Sequence, residues 1–560
     1  MTRGRWLVAG ILVVVAGVAV GLLATGVVRT GPSAPTVALG APRFVDETST
    51  AGITQTYDGS ESYDVGGGLA VLDCDGDGRP DVYAAGAEQP AALFRNTGTI
   101  GGPLRFEAVP AAETDLTGVT GAYPLDLDGD GITDLAVLRV GQTELLRGLG
   151  DCRFERADEA WGATPTPGFV TAFSATWEGS AGRPTLAFGT YLTLDENGES
   201  TTTCGANEVI RPDATGGAYG APVALPPGYC ALSMLFSDWD GSGRRDLRIS
   251  NDRHYYDVEE GQEQLWRFEA GVAPRLYTSD DGWVLLQVWG MGIASYDVTG
   301  DGYPEVFLTS QGPNTLQTLL AGPAQPTYRD MANKRRIEGT RPATGGDPLP
   351  STAWHPEFQD VNNDGFMDLF VSKGNVNVQP DYAARDPSDL WLGQPDGSYV
   401  QAVEQAGIVD YDRGRGAALV DFNLDGLLDL VEVTLSAPVR VWRNVGAGTA
   451  DAPAPMGHWV GWRLRQPGGN RDAIGSVVEV RVGDTLIGRR EVVVGGGHIS
   501  GQLGWTITGL GPATEAEVRV TWPDGEQGPW QRVGADTFTL VERGAAAPVP
   551  WTPAAGAVAP

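Results

Sequence analysis

The sequence predicts an all-β protein: a seven-bladed β-propeller followed by a small β-sandwich or barrel module, behind an N-terminal transmembrane helix. Three observations carry this prediction. An acidic loop motif recurs at a near-constant period, every copy has strand-like flanks, and one long apolar segment opens the chain.

The motif first appears as Asp73-x-Asp75-x-Asp77-Gly78-x-x-Asp81. Carboxylates at alternate positions of a tight loop converge on one point, glycine permits the sharp turn, and calcium takes six to eight oxygens at about 2.3–2.6 Å. The spacing returns at Asp126, Asp128, Asp130 and Asp134. With one carboxylate replaced, it returns at Asp238/Asp240/Ser242/Asp246, Asp297/Thr299/Asp301/Glu305, Asp360/Asn362/Asp364/Asp368 and Asp421/Asn423/Asp425/Asp429. These residues are the candidate metal ligands, and the implied cofactor is Ca²⁺, about six ions. An EF-hand would need flanking helices and a bidentate Glu at loop position 12. That position holds Ala84, Val137, Ile249, Leu308 and Val371, and only Glu432 fits. Flanks such as LAVLD and DVYAAG are short, β-branched and glycine-bounded, so they read as strands. The carboxylate at position 9 must then close the cage.

Loop starts fall at 73, 126, 238, 297, 360 and 421. The step of 112 is two periods, and a degenerate copy with its ligands lost lies at Thr176–Pro184. Seven strand-and-turn units of about 50–63 residues match radial repetition into a propeller. Each unit also has a later strand followed by a turn, such as LFRNTG at 93–98 or VWRNVG at 441–446. Units end in a strand that starts with an aromatic residue and runs on to Ala, as from Phe154 to Ala160 and from Tyr399 to Ala406. None follows VWRNVG, yet the folded part begins with one, Phe44-Val45-Asp46-Glu47. Residues 43–53 are therefore expected to supply the outermost strand of the seventh blade, since an open ring would expose unpaired edges.

These units resemble FG-GAP/VCBS repeats, the blades of the integrin α-subunit propeller, over residues 44–446. Residues 457–543 resemble the ASPIC/UnbV domain through Asn470-x-x-Ala473-Ile474-Gly475, Arg490-Glu491-Val492, Gly495-Gly496-Gly497-His498-x-Ser500, Gly509-Leu510-Gly511 and Val520-Thr521-Trp522-Pro523-x-Gly525. His498 stands where that domain usually has an aromatic, and Gly501 interrupts its usual Ser-Gln pair. The integrin resemblance implies adhesion-type recognition of a protein or glycan. The alternating segments VVEVRV and EVRVTW read as strands of a small sandwich or barrel.

Residues 6–28 are 23 uncharged, mostly apolar residues, enough to cross about 30 Å of hydrocarbon. The span exceeds a signal-peptide core of about 7–15 residues and no A-x-A site follows, which favours an uncleaved anchor. Arg3 and Arg5 precede it, against Arg29 after it, placing the body outside the cytoplasm, in the periplasm or at the cell surface. A cleaved signal peptide would secrete the same body. The expected order is a stub at 1–5, anchor 6–28, tether 29–42, propeller 43–446, linker 447–456, β module 457–543 and disordered tail 544–560.

Four cysteines allow three pairings. Cys204–Cys230 would close the long insertion at 191–230, and Cys74–Cys152 would tie the first two blades, with a free buried Cys74 thiol as the alternative. The net charge is −32, and twenty of the 71 acidic residues lie in the six loops. What remains disfavours nucleic acid, which needs a basic footprint. The four histidines form no H-E-x-x-H pair, and no G-x-S-x-G elbow or P-loop occurs, so no catalytic constellation is evident. An exported polysaccharide-acting enzyme with its site at the propeller mouth is the alternative; Trp354-His355 and Trp283, Trp289 and Met291 are the residues near that mouth.

Overall fold

The computed structural model describes residues 33–213, 216–253, 261–377 and 379–553. The apolar segment 6–28 lies outside the described residues. Among those described, no helix is long and apolar enough to cross a membrane.

The protein is all-β. Seven four-stranded antiparallel sheets follow one another along the chain, the third carrying an extra strand, Ser200–Cys204. Their inner strands are Leu69–Leu72, Val119–Leu125, Gly168–Thr176, Ala231–Ser237, Gly290–Tyr296, Ala353–Gln359 and Arg413–Val420. Each packs beside the inner strand of the next sheet, and the seventh packs beside the first. These strands are buried almost throughout, so they show no alternation of apolar and polar residues, and even His355, Glu357 and Arg415 are buried within them. The apolar clusters lie between neighbouring sheets: Phe370 and Leu390 of the sixth meet Leu430 and Trp442 of the seventh.

The seventh sheet takes its outer strand from the start of the folded chain. Phe44 pairs with Asn444, Val45 with Arg443 and Asp46 with Trp442, the pairing that the aromatic-led register predicts. Glu47 latches the joint: it accepts from Arg443 Nε at 2.9 Å and from the Leu104 backbone N–H of the first sheet at 2.7 Å. Both expected disulfides form, Cys74–Cys152 between the first two sheets and Cys204–Cys230 across the insertion.

Two further four-stranded sheets, from residues 458–551, face each other over Val460, Trp462, Val478, Val518, Val520 and Trp522. The tail expectation needs correction at Val549–Trp551, which adds a strand to Thr537–Glu542 because Trp551 packs on Trp505 and Phe538. The tether expectation also needs correction. The Leu39 N–H donates to Asp364 Oδ2 at 2.7 Å and Asn362 Nδ2 donates to Gly40 O, so this stretch lies docked across the Asp360 loop.

Candidate metal centres

All six acidic loops connect an inner strand to the second strand of its sheet, and all have one backbone conformation. Position 6 is a left-handed glycine in each: Gly78, Gly131, Gly243, Gly302, Gly365 and Gly426, with φ of 81–92°. Position 4 is also left-handed, even where it is Asn363 (φ 58°) or Leu424 (φ 56°). These turns aim backbone N–H groups at the first carboxylate. Asp73 accepts from Gly76 and Gly78, Asp126 from Gly129 and Gly131, and Asp297 from Gly300 and Gly302.

The position 9 carboxylate is clamped between strands. Asp81 accepts from Cys74 N and Asn96 N, Asp134 from Leu127 N and Gly148 N, Asp368 from Val361 N and Gly393 N, and Asp429 from Phe422 N and Asn444 N. Each oxygen receives one of the two donors, so each keeps a lone pair for another partner. In the first two loops, carboxylate oxygens of Asp73, Asp75 and Asp81, and of Asp126, Asp128 and Asp134, lie within 4.8 Å of one another.

Position 5 also serves the turn itself. Asp77 turns to Arg79 at 2.7 Å, and Asp130 to Arg147 at 2.9 Å. Ser242 and Asp301 are both exposed. The Ser242 hydroxyl oxygen accepts from the Arg244 backbone N–H at 3.3 Å, and Asp301 Oδ1 accepts from the Tyr303 backbone N–H at 3.0 Å. A short polar side chain that bonds the backbone two residues on stabilises the turn itself. The same bond to the backbone N–H two residues on is made by Asp77, Asp130, Asp364 and Asp425, so position 5 caps the turn in every loop.

Burial pushes these carboxyls up, Asp126 to about 6, Asp134 to about 8 and Glu305 to about 7. Burial, followed by repulsion from neighbouring carboxylates, holds Asp360, Asp368, Asp421 and Asp429 well above the ordinary range. Such clusters cannot all ionise unless a cation joins them. The oxygen-only donors and shared turn fit calcium. Asn362 and Asn423 contribute neutral amides, whose nitrogens donate to Gly40 O and Gly102 O. Thr299 donates to Glu305 Oε1 at 3.1 Å. The Asp238 loop differs: the Arg244 guanidinium sits on Asp240 Oδ2 (3.2 Å) and on both oxygens of Asp246. In the degenerate copy, Glu178 is likewise paired with Arg211 at 2.7 Å.

The C-terminal module covers the face that bears these loops. Side chains at Gly78, Gly131 and Gly426 would overlap Trp551, Arg471 and Trp459 of the module. From this face residues 494–502 run into the axis of the ring. Gly496 N donates to Met234 O (2.7 Å), Gly497 N to Ile293 O (2.6 Å), His498 N to His355 Nδ1 (3.1 Å) and Leu503 N to Val71 O (3.0 Å). Ser174 Oγ donates to Val494 O, Gln502 Nε2 to Glu357 Oε1, and Gly501–Gln502 pairs in parallel with Ala70–Val71. Gly68, Gly121 and Gly416 are required opposite this segment, since a Cβ at any of them would overlap Ile499 or Ser500.

His498 is fully buried at the tip, its ring 5.0 Å from Trp354, whose other neighbour is the Arg415 guanidinium at 4.4 Å. Burial, then Arg415 and His355, push the His498 imidazole down to about 3. Arg415, also buried, donates to the carbonyls of Asp64, Gly374, Gly414 and Asn375.

The opposite mouth holds a cavity of about 420 Å³ lined by Asp64, Tyr191, Thr201, Asp252, Gln311 and Trp354 among others. Burial pushes Asp252 up to about 7; Tyr191 donates to its Oδ2 at 2.8 Å, and Oδ1 has no hydrogen-bond partner among the described residues. Trp354, His355 and Met291 thus lie near the axis as the sequence suggests, while Trp283 packs with Trp239 and Tyr277 between sheets. His355 is buried beneath His498. Sequence reasoning passed over Arg244 and the axial segment. The signal was present in each case, a basic residue inside an acidic loop and three consecutive glycines before His498.

The family models agree with this layout. The FG-GAP-like repeat model matches residues 73–137 and 297–371, and the ASPIC and UnbV model matches residues 466–548. The chain carries FG-GAP-like repeats and an ASPIC and UnbV domain. It is similar to cartilage acidic protein 1 of Xenopus tropicalis, 25% identical over 38% of this chain and 32% of that protein. Human cartilage acidic protein 1 is 24% identical over 38% and 31%. The chain thus spans about a third of these relatives' length. Among solved structures, BBS1N in complex with ARL6DN aligns at a TM-score of 0.41 and 10% identity, over 74% of this chain and 99% of that one.

Proposed function

We propose that this FG-GAP-repeat protein is a calcium-binding, seven-bladed propeller that works outside the cytoplasm in recognition of a protein or glycan. Sequence resemblance to cartilage acidic protein supports an extracellular recognition role, and the two disulfides suit an oxidising compartment. An anchor at residues 6–28 would hold the body at the membrane.

One observation carries the recognition reading. The C-terminal module closes one face of the ring and fills its axis, leaving the other mouth as a concave, mostly apolar surface with a few polar groups, walled by the insertion that Cys204–Cys230 fixes. Concave sites with a few convergent polar groups are where ligands bind. Calcium, in this reading, neutralises the loops and stiffens the blades without touching the ligand. The test is a glycan array and a pull-down of surface proteins with the full-length protein, beside a variant carrying Tyr191→Ala and Gln311→Ala. Ligands retained by the parent and lost by the variant support the mouth as the site; equal retention by both refutes it.

A second reading, an enzyme acting on polysaccharide at this mouth, draws on Asp252, a carboxyl held near 7 as a general acid requires. Release of reducing sugar that Asp252→Asn abolishes would favour it.

A further inference from the structure

The six loops look equivalent in sequence, and their backbones superpose in conformation, but their position 9 carboxylates are not in the same electrical state. In four loops that carboxylate takes two backbone donors, one on each oxygen. Glu305 of the Asp297 loop takes only neutral donors, the N–H groups of Val298 and Thr299 and two threonine hydroxyls.

Asp246 is different. Its Oδ1 accepts from Phe268 N at 3.0 Å and Arg244 Nε at 2.9 Å. Its Oδ2 accepts from Trp239 Nε1 at 2.9 Å, the Tyr277 hydroxyl at 2.8 Å and Arg244 Nη2 at 3.1 Å. Five donors on two carboxylate oxygens leave no lone pair for a metal ion. The guanidinium that supplies two of them also reaches Asp240 Oδ2 at 3.2 Å. Arg147 offers a contrast, because it pairs with Asp128 and Asp130 at positions 3 and 5, while both oxygens of Asp134 take backbone donors. Arg244 reaches the fully buried carboxylate itself, the ligand that must close the cage.

We infer that Arg244 is a built-in cation that takes the place of calcium in the Asp238 loop, so that the chain binds five calcium ions and the fourth blade is held without metal. The sequence order supports the same logic one blade earlier. The degenerate third unit keeps a single acid, Glu178, and pairs it with Arg211. Two adjacent blades therefore replace an exchangeable ion with a covalently attached guanidinium, whose fork matches carboxylate oxygens and stays charged at any physiological pH.

This inference rests on the calcium reading, and the experiment separates the two. Full-length protein is dialysed to equilibrium against millimolar calcium, and the metal held in excess of the dialysate is counted by mass spectrometry, together with Arg244→Ser, Asp240→Ala and Asp128→Ala, the alanines removing the position 3 oxygen outright. The expected counts per chain are five for the parent, six for R244S, five for D240A and four for D128A. A parent without calcium overturns the calcium reading itself. A parent that holds calcium and loses one ion on D240A overturns the Arg244 assignment, as does a folded R244S that gains none. Should R244S fail to fold, the pair D240A and D128A still decides, since only the second mutation is expected to remove an ion.

Discussion

His498 provides the most direct test of the axial segment. In the unfolded chain its imidazole titrates near the ordinary value of about 6.5. In the folded ring burial holds it near 3, aided by the positive charge of Arg415 and by His355, which has Glu357 on its far side. Between those values the unfolded state binds more protons, so the stability this group confers is complete above about pH 6.5 and is lost as pH falls towards 3. At pH 5 the separation is about 1.5 pH units below the unfolded value, or about 2 kcal/mol at 1.36 kcal/mol per unit. A chain of this size unfolds with an entropy on the order of 1 kcal/mol per degree, so the thermal midpoint should fall by about 2 °C from this term alone. His498→Phe keeps a ring against Trp354 and removes the proton. Melting curves of parent and variant at pH 8 and pH 5 give the double difference, in which pH-independent packing changes cancel. Parent and variant with the same midpoint shift would refute the burial of a neutral His498 at the axis.

Chelation with EGTA should lower the melting temperature by several degrees and calcium should restore it, since millimolar-range sites at a tenfold excess of ligand over Kd contribute about 1.4 kcal/mol each, about 7 kcal/mol over five sites; an unchanged curve contradicts calcium in the loops. Lys373, fully buried between Asp386 (2.8 Å) and Asp389 (3.2 Å), should cost about 3–5 kcal/mol when changed to Met. Adding Asp386→Asn and Asp389→Asn should recover much of that loss, as denaturant titration would reveal. Glu47→Ala strips Arg443 and the Leu104 N–H of their partner at the ring's joint and should cost about 3–5 kcal/mol. Limited proteolysis should then cut near residues 43–48 first; a cleavage pattern like the parent's would argue that the joint is not held there.

Local chemistry explains what was legible in the sequence. The acidic loops stood out because position 6 must be glycine and positions 1 and 9 must be carboxylates, constraints that act within nine residues. The closing strand was legible because Phe44 repeats the aromatic start of the other outer strands, Phe106, Phe154, Tyr328 and Tyr399. The division of labour inside a loop was harder to read, because an oxygen that caps a turn, as on Ser242 and Asp301, has the same spacing as one that would bind a cation. Contacts set by distant parts of the chain were not legible. Nothing within a nine-residue window says that Arg244 folds back onto Asp246, since that needs Trp239, Tyr277 and Phe268 to saturate the same carboxylate. Nor does GGGHIS announce an axial segment, because its glycines are demanded by backbone approaching from several different sheets. Tether and tail were expected to lie free for a related reason: Leu39 and Trp551 gain partners only once module and ring are together.

Under the proposed calcium binding, the position of the module over the loops would tie its docking to the metal. Trp551 lies on Gly78, Arg471 on Gly131, where it also donates to Asp130 O at 3.2 Å, and Trp459 on Gly426. A loop emptied of calcium holds several mutually repelling carboxylates, and relaxing that repulsion moves the backbone against which these side chains pack. Any difference in module docking between filled and empty loops must appear, by reciprocity, as an equal difference in calcium affinity between docked and undocked module. The axial segment raises the stakes of this coupling, because residues 494–502 cannot leave the ring without breaking backbone pairing to five of the seven inner strands. The Asp238 loop sits beside Glu491, immediately before that segment, with the Asp238 N–H donating to Glu491 at 3.0 Å and Arg245 reaching Glu491 and Pro523 O. If calcium fills the other loops as proposed, a metal-independent blade at that point would keep the entry of the axial segment fixed at any calcium concentration, while the calcium-dependent blades around it could loosen.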